Sequence, residues 1–166
     1  MKHHRFLRVA VTSALLTFVA TISAQTTANE FNSRGAGKRA KGDLDGAIAD
    51  FTKAIELNPE FAMAYNNRGG AKREANDFAG AITDFTKAIE LKPTYAVAYN
   101  NRGGAKRQNG DLDGALADFT RAIELDPKLA GAYQNRGNIR KAKGDAAGAE
   151  ADYKKAEALR AQETDR

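Results

Sequence analysis

Cysteine and tryptophan are missing from the 166-residue sequence, and its only two histidines, His3 and His4, fall within the first four residues. Without Cys no disulfide framework or thiol redox couple can be built. A Ser/His/Asp triad, a Cys nucleophile, a thiolate or imidazole zinc site and a haem ligand pair all need residue types that the chain lacks beyond residue 4. The composition therefore points to a non-enzymatic chain that needs no cofactor and no metal.

Long apolar runs are also scarce. The one present is Val9 to Ala24, VAVTSALLTFVATISA, behind the basic start Met-Lys-His-His-Arg-Phe-Leu-Arg. As a helix this run would span about 24 Å against the roughly 30 Å of a bilayer's hydrocarbon core, and five of its residues are Thr or Ser. A basic head, a short apolar stretch, and Ile22-Ser23-Ala24 before Gln25 have the form of a secretory signal peptide cleaved after Ala24. The expected organisation is a signal at 1–24 and a single domain at 25–166, exported to a periplasmic or extracellular space. An uncleaved N-terminal tether is the alternative. Position 25 is Gln, so a lipid-modified Cys is not indicated, and no stable membrane insertion is expected after cleavage.

Charge of one sign is not in excess either. Lys plus Arg number 26 against 21 Asp plus Glu, and loss of Lys2, Arg5 and Arg8 with the leader brings the 26 down to 23. The signs alternate along the chain instead of forming a basic stripe, so a nucleic-acid partner is not expected.

Proline is rare, and its three occurrences, Pro59, Pro93 and Pro127, are 34 residues apart. The same period carries Gly35, Gly69, Gly103 and Gly137, then Ala47, Ala81, Ala115 and Ala149, then Phe51, Phe85, Phe119 and Tyr153. The chain divides without insertions into Ala28 to Phe61, Ala62 to Tyr95, Ala96 to Leu129 and Ala130 to Glu163.

Within the second unit, AMAYNNRGGAKREA is a first helix, A. Asp77 then precedes Phe78, Ala81, Ile82, Phe85, Ala88 and Ile89, whose spacing traces one face of a second helix, B. Asp43, Asp77, Asp111 and Asp145 stand where a short acceptor side chain satisfies free amides at the start of B. Gly42, Asn76, Gly110 and Gly144, just before them, suit a left-handed helix end. Each X-Pro step closes its unit by pushing the preceding residue out of helical geometry. Eight short helices follow.

Counting Ala28, Ala62, Ala96 and Ala130 as position 1, aromatics stand at position 4 (Phe31, Tyr65, Tyr99, Tyr133), Gly at 8, Ala at 20, an aromatic at 24, Ala at 27 and Pro at 32. This pattern resembles the tetratricopeptide-repeat family. The resemblance implies an all-α solenoid of helix-turn-helix units wound as a right-handed superhelix. Each unit cannot bury its apolar face alone, so stacked neighbours supply the core. The small residues at positions 8 and 20 are expected to let A and B cross closely, with Tyr65 and Phe85 filling around them. In the last unit Leu44/Phe78/Leu112, Ile48/Ile82/Leu116 and Ile55/Ile89/Ile123 give way to Ala146, Glu150 and Glu157, as expected of a cap wetted by water.

Two departures from the family fall at position 7 (Arg34, Arg68, Arg102, Arg136) and position 11 (Lys38, Lys72, Lys106, Arg140), both on the face toward B. They are expected to lay their stems across the helix pair and to pair with Asp50, Asp84, Asp118 and Asp152. Treated as exposed pairs, each is worth about 0 to 1 kcal/mol.

In the family the concave groove is lined from A positions 2, 5, 9, 12 and 13. Here position 5 carries Asn32, Asn66, Asn100 and Gln134, position 6 adds Asn67, Asn101 and Asn135, and position 12 carries Arg39, Arg73, Arg107 and Lys141. An amide can donate to and accept from one peptide unit, and a basic ladder suits carboxylates, so an extended segment of a partner protein is the expected ligand. Duplication alone would also copy a solvated polar face from repeat to repeat. Gly70 and Gly104 at position 9 lower helix propensity, which close approach of a ligand backbone would explain.

Other constellations have plainer readings. GDLDGA at 42–47 and 110–115 lacks the Gly and Glu spacing of an EF-hand loop, and its acids read as caps. Some family members grip a C-terminal carboxylate with Lys at 5, Asn at 9, Asn at 6 of the next unit, and Lys at 2 and Lys or Arg at 6 of the third. Here those places hold Asn32, Ala36, Asn67, Val97 and Asn101, or Asn66, Gly70, Asn101, Gly131 and Asn135, with one match each. The expectation is a non-catalytic adaptor for an extended segment of another protein, with self-assembly by end-to-end stacking as the alternative.

Overall fold

Apolar spacing of 3, 4 and 7 residues, broken every 34 by proline, leaves the chain no choice but short helices. The computed structural model describes residues 25–164. The signal-peptide reading of 1–24 lies outside the described residues. Among these the chain is helical from 25 to 40 (α1), followed by α2 (Leu44–Leu57), α3 (Ala62–Glu74), α4 (Phe78–Leu91), α5 (Ala96–Gln108), α6 (Leu112–Leu125), α7 (Ala130–Ala142) and α8 (Ala146–Thr164). No strand occurs among the described residues. None of their helices is long and apolar enough to cross a membrane. The chain divides into two compact units, Met1–Phe61 and Ala62–Arg166.

The punctuation works as the sequence implies. Asp43, Asp77, Asp111 and Asp145 accept from the backbone N–H of Gly46, Gly80, Gly114 and Gly148 at 2.8–3.0 Å, so each B helix starts on a side-chain cap. The turn before each cap needs a left-handed residue, and Asn76 supplies it at φ 64° where Gly42, Gly110 and Gly144 serve elsewhere. Asn58, Lys92 and Asp126, each directly before a proline, end their helices at φ near −140°.

In the first unit α1 and α2 cross at Gly35, where an added Cβ would stand 2.8 Å from the Phe51 ring. In the second unit α3 pairs with α4, α5 with α6 and α7 with α8, while α4 also packs on α5 and α6 on α7. The core there is built across the boundaries between repeats: Ala81 and Phe85 with Ala105, Ala115 and Phe119 with Ile139, and Ala122 and Ile123 with Ala132. Phe51, Phe85 and Phe119 are fully buried. On α8, Ala146, Glu150 and Glu157 are exposed.

Candidate functional site

The charged residues that depart from the family reach across to the B helix of their own repeat. Arg68 donates through Nε and Nη2 to both carboxylate oxygens of Asp84 at 2.9 and 2.7 Å, and Lys72 Nζ approaches Asp84 Oδ2 at 2.8 Å. Arg102 and Lys106 hold Asp118 in the same way, Arg136 and Arg140 hold Asp152, and in the first unit Arg34 and Lys38 hold Asp50. The pairing is as expected from the sequence, but its setting is not. The four aspartates are only 3–4% exposed, and in the last three repeats their cation partners keep 14–29% of their side-chain surface. These three are therefore buried networks to which the exposed-pair magnitude does not apply, whereas Arg34, 57% exposed, leaves the first one open to water. Each guanidinium also lies over the aromatic ring three residues before it: Arg34 on Phe31 at 4.6 Å, Arg68 on Tyr65 at 5.6 Å, Arg102 on Tyr99 at 5.4 Å and Arg136 on Tyr133 at 5.6 Å. Aromatic at 4 and Arg at 7 was the readable signal for that stack.

The hydrogen bonds from Arg34, helped by Lys38 and opposed by burial, hold the Asp50 carboxyl down from 3.8 to about 2. The unfolded chain therefore takes up this proton first. The pair's stabilisation is full above pH 3.8 and is lost as the pH falls toward 2. Asp50→Asn is expected to be less stable than the parent at neutral pH and to decline less steeply across that acid window, followed by circular dichroism in urea at fixed pH. Parallel slopes would contradict it.

The polar ladders lie on α3, α5 and α7, which touch one another in sequence. Asn101 Nδ2 donates to Asn66 Oδ1 and Asn135 Nδ2 donates to Asn100 Oδ1, both at 3.0 Å. The position-6 amide of one repeat is thus a brace to the position-5 amide of the repeat before, and Asn66 is 93% buried as a result. Beside the braces opens a cleft of about 440 Å³. It is lined by Arg73, Glu74 and Asn76 from α3 and its turn, Asn100, Asn101, Gly104, Arg107 and Gln108 from α5, and Asn135 from α7.

Of the eleven residues singled out from the sequence, the cleft brings together Asn100, Asn101, Asn135, Arg73 and Arg107. Asn66 serves as a brace, and Asn67 is half-buried. Gln134 accepts from Arg160 Nη1 at 3.5 Å. Lys141 departs from the ladder and lines a separate hollow with Ala146, Ala149, Glu150 and Tyr153. Asn32, buried, and Arg39, half-buried, belong to the first unit. Glu74, Gln108 and Asn76 were not singled out, although Glu74 and Gln108 occupy position 13, one of the groove positions that the resemblance implies.

The glycine at position 9 has an internal cause. A Cβ at Gly104 would stand 2.8 Å from Arg73 Nη1, so the guanidinium of the preceding repeat rests on the backbone of α5. No ligand backbone is needed to explain Gly104. Because the obstacle is the far end of a flexible side chain, Gly104→Ala should regain much of the roughly 1 kcal/mol of helix propensity that Gly forgoes. Among the described residues no cluster of three or more His, Cys, Asp or Glu could hold a metal ion.

Family models described as tetratricopeptide repeat match residues 62–95, 96–129 and 130–163, and one described as TPR repeat matches 38–72. No curated protein matches the sequence significantly. Several hundred solved chains share the fold. The crystal structure of MamA is 25% identical over 87% of this chain and 85% of its own, with a TM-score of 0.76. The first TPR of Spaghetti (RPAP3), bound to the HSP90 peptide SRMEEVD, is 28% identical over 72% of this chain and 95% of its own, with a TM-score of 0.70. The Arabidopsis OM64 TPR domain is 29% identical over 71% of this chain and 98% of its own, with a TM-score of 0.69. With repeats of this period, fold and helix chemistry from residue 38 to residue 163, the chain belongs to the tetratricopeptide-repeat family.

Proposed function

We propose that this chain is a non-catalytic protein-interaction module that holds an extended segment of a partner protein against α3, α5 and α7. The observation that carries this reading is the open cleft in which two repeats bring Arg73 and Arg107 beside Asn100, Asn101 and Asn135. A side-chain amide matches a peptide unit donor for acceptor, and guanidinium groups hold carboxylates. The structural likeness to a TPR domain bound to a peptide supports it. The Lys and Asn set expected of a grip on a C-terminal carboxylate is largely missing here, so the partner segment differs in chemistry from such a tail. The exported location proposed from residues 1–24 would put that partner outside the cytoplasm. The polar substitutions on α8 favour this reading over end-to-end stacking, since Glu150 and Glu157 would have to be desolvated for another repeat to dock there.

A photo-reactive residue tests the reading in the chain's native compartment. Asn100 is a poor site, because its carbonyl is engaged by Asn135. Gln108, exposed at the rim of the cleft, leaves the braces intact, and exposed Lys87 on α4 is the control. A discrete adduct from Gln108 alone is expected. Equal adducts from both positions, or an adduct only to a second copy of the chain, would overturn it.

A further inference from the structure

The braces that remove Asn66 and Asn100 from a simple amide ladder also fix what the remaining amide atoms present. Asn100 accepts through Oδ1 from Asn135, so Nδ2 is the end it has to offer as a donor. Asn101 and Asn135 donate through Nδ2, so each keeps its Oδ1 as acceptor. The cleft therefore holds donors for an anion in Arg73, Arg107 and Asn100, and acceptors for peptide N–H groups in Asn101 and Asn135. Against the two guanidinium groups stands a single acid, Glu74, which leaves the lining one positive charge in excess. Guanidinium groups beside an amide donor match the two oxygens of a carboxylate.

Gly104 gives the second observation. It is buried in the middle of α5, and Arg73 Nη1 occupies the space a side chain there would take. The glycine lets the guanidinium lie on the helix backbone at the floor of the cleft. A side chain at 104 would push it out of that seat.

We infer that the cleft is a carboxylate subsite which reads an Asp or Glu side chain within the extended partner segment, with Arg73 and Arg107 as the recognising groups and Gly104 as the residue that positions Arg73. The inference rests on the groove reading above and gives it a chemical class: an internal acidic segment, held at A positions 9 and 12 and not by the terminal-carboxylate set.

The probes are an N-acetylated, C-amidated hexapeptide of alternating Ser and Asp, its Asn counterpart, and that Asn counterpart with a free C-terminal carboxylate. Each is titrated into the chain, with binding followed by amide and arginine Nε NMR shifts at low salt. The capped acidic peptide is expected to shift residues of the cleft and to bind about tenfold more tightly than the capped Asn peptide, the scale of one charge-assisted hydrogen bond. Arg73→Gln and Arg107→Gln should each erase most of that difference. Gly104→Ala should weaken acidic-peptide binding while leaving the melting temperature equal or higher, a split that mere loss of fold could not produce. Preference for the free-carboxylate peptide would overturn the inference in favour of terminal capture. Equal binding of the two capped peptides would overturn the subsite and leave the groove standing. So would silence of all three peptides alongside a discrete Gln108 adduct, whereas silence of both experiments would remove the groove reading as well.

Discussion

Asp84→Asn is expected to lower the unfolding free energy by about 3 kcal/mol, the low end of the range for removing one partner of a buried ion pair. Asp84 is 3% exposed and takes three charged hydrogen bonds and contacts from Arg68 and Lys72, so the change leaves two cations facing a neutral amide. Arg68 and Lys72 keep 17% and 21% of their side-chain surface, which lets water relieve part of the imbalance and sets the estimate at the low end. For a domain of this size that loss is a fall of roughly 10 °C in Tm. Asp113→Asn is the control, because Asp113 meets Lys143 at 2.5 Å but is 85% exposed and is worth about 0 to 1 kcal/mol. Equal effects at the two positions would show that the network is not buried in solution. Replacing Asp84, Arg68 and Lys72 together by apolar residues of similar volume asks a further question. Recovery of stability there would mean that the network fixes how the two helices meet and adds little net free energy.

The fold was open to reading because its signals are redundant. Each A-to-B turn carries a left-handed residue and a capping Asp, three of the four B helices end at a proline, and the pattern recurs every 34 residues. The Arg, Lys and Asp of positions 7, 11 and 23 were legible for a related reason, since partners within one unit keep a fixed separation of 16 or 12 residues. The candidate site was harder. Asn101 meets Asn66 and Asn135 meets Asn100 across 35 residues, one repeat and one position, so the bond joins two ladders that a single unit shows only as neighbours in sequence. Perfect repetition conceals such bonds, because a residue serving the next unit and a residue serving a ligand recur with equal fidelity. The same holds for Gly104, whose reason lies in Arg73 of the unit before it. Lys141, in the last turn of α7, fell out of the basic ladder because it sits beside the start of α8, in a hollow with Ala146, Ala149 and Tyr153.

Phe119→Ala is expected to lower stability by about 3 to 5 kcal/mol, the usual effect of emptying a buried aromatic site. The ring is fully buried between Ala115 and Ile139, and it lies against Gly103 so closely that a Cβ there would stand 2.8, 3.0 and 3.1 Å from three of its carbons. Those three ring atoms are the nearest heavy atoms to the added methyl. Gly103→Ala alone should therefore destabilise by about 1 to 3 kcal/mol, because a packed ring has nowhere to move. In the Phe119→Ala background the obstacle is gone. The same Gly103→Ala change should then be neutral or stabilising by up to about 1 kcal/mol, through helix propensity and partial refilling of the cavity. Its neighbour separates this from a general response of α5: Gly104→Ala meets only the end of Arg73 and should have the same small effect in both backgrounds. Urea unfolding of the five variants gives the coupling between 103 and 119 directly. A coupling near zero would mean that helix α5 yields to the added methyl, and that glycine at this crossing is not a steric requirement of the ring.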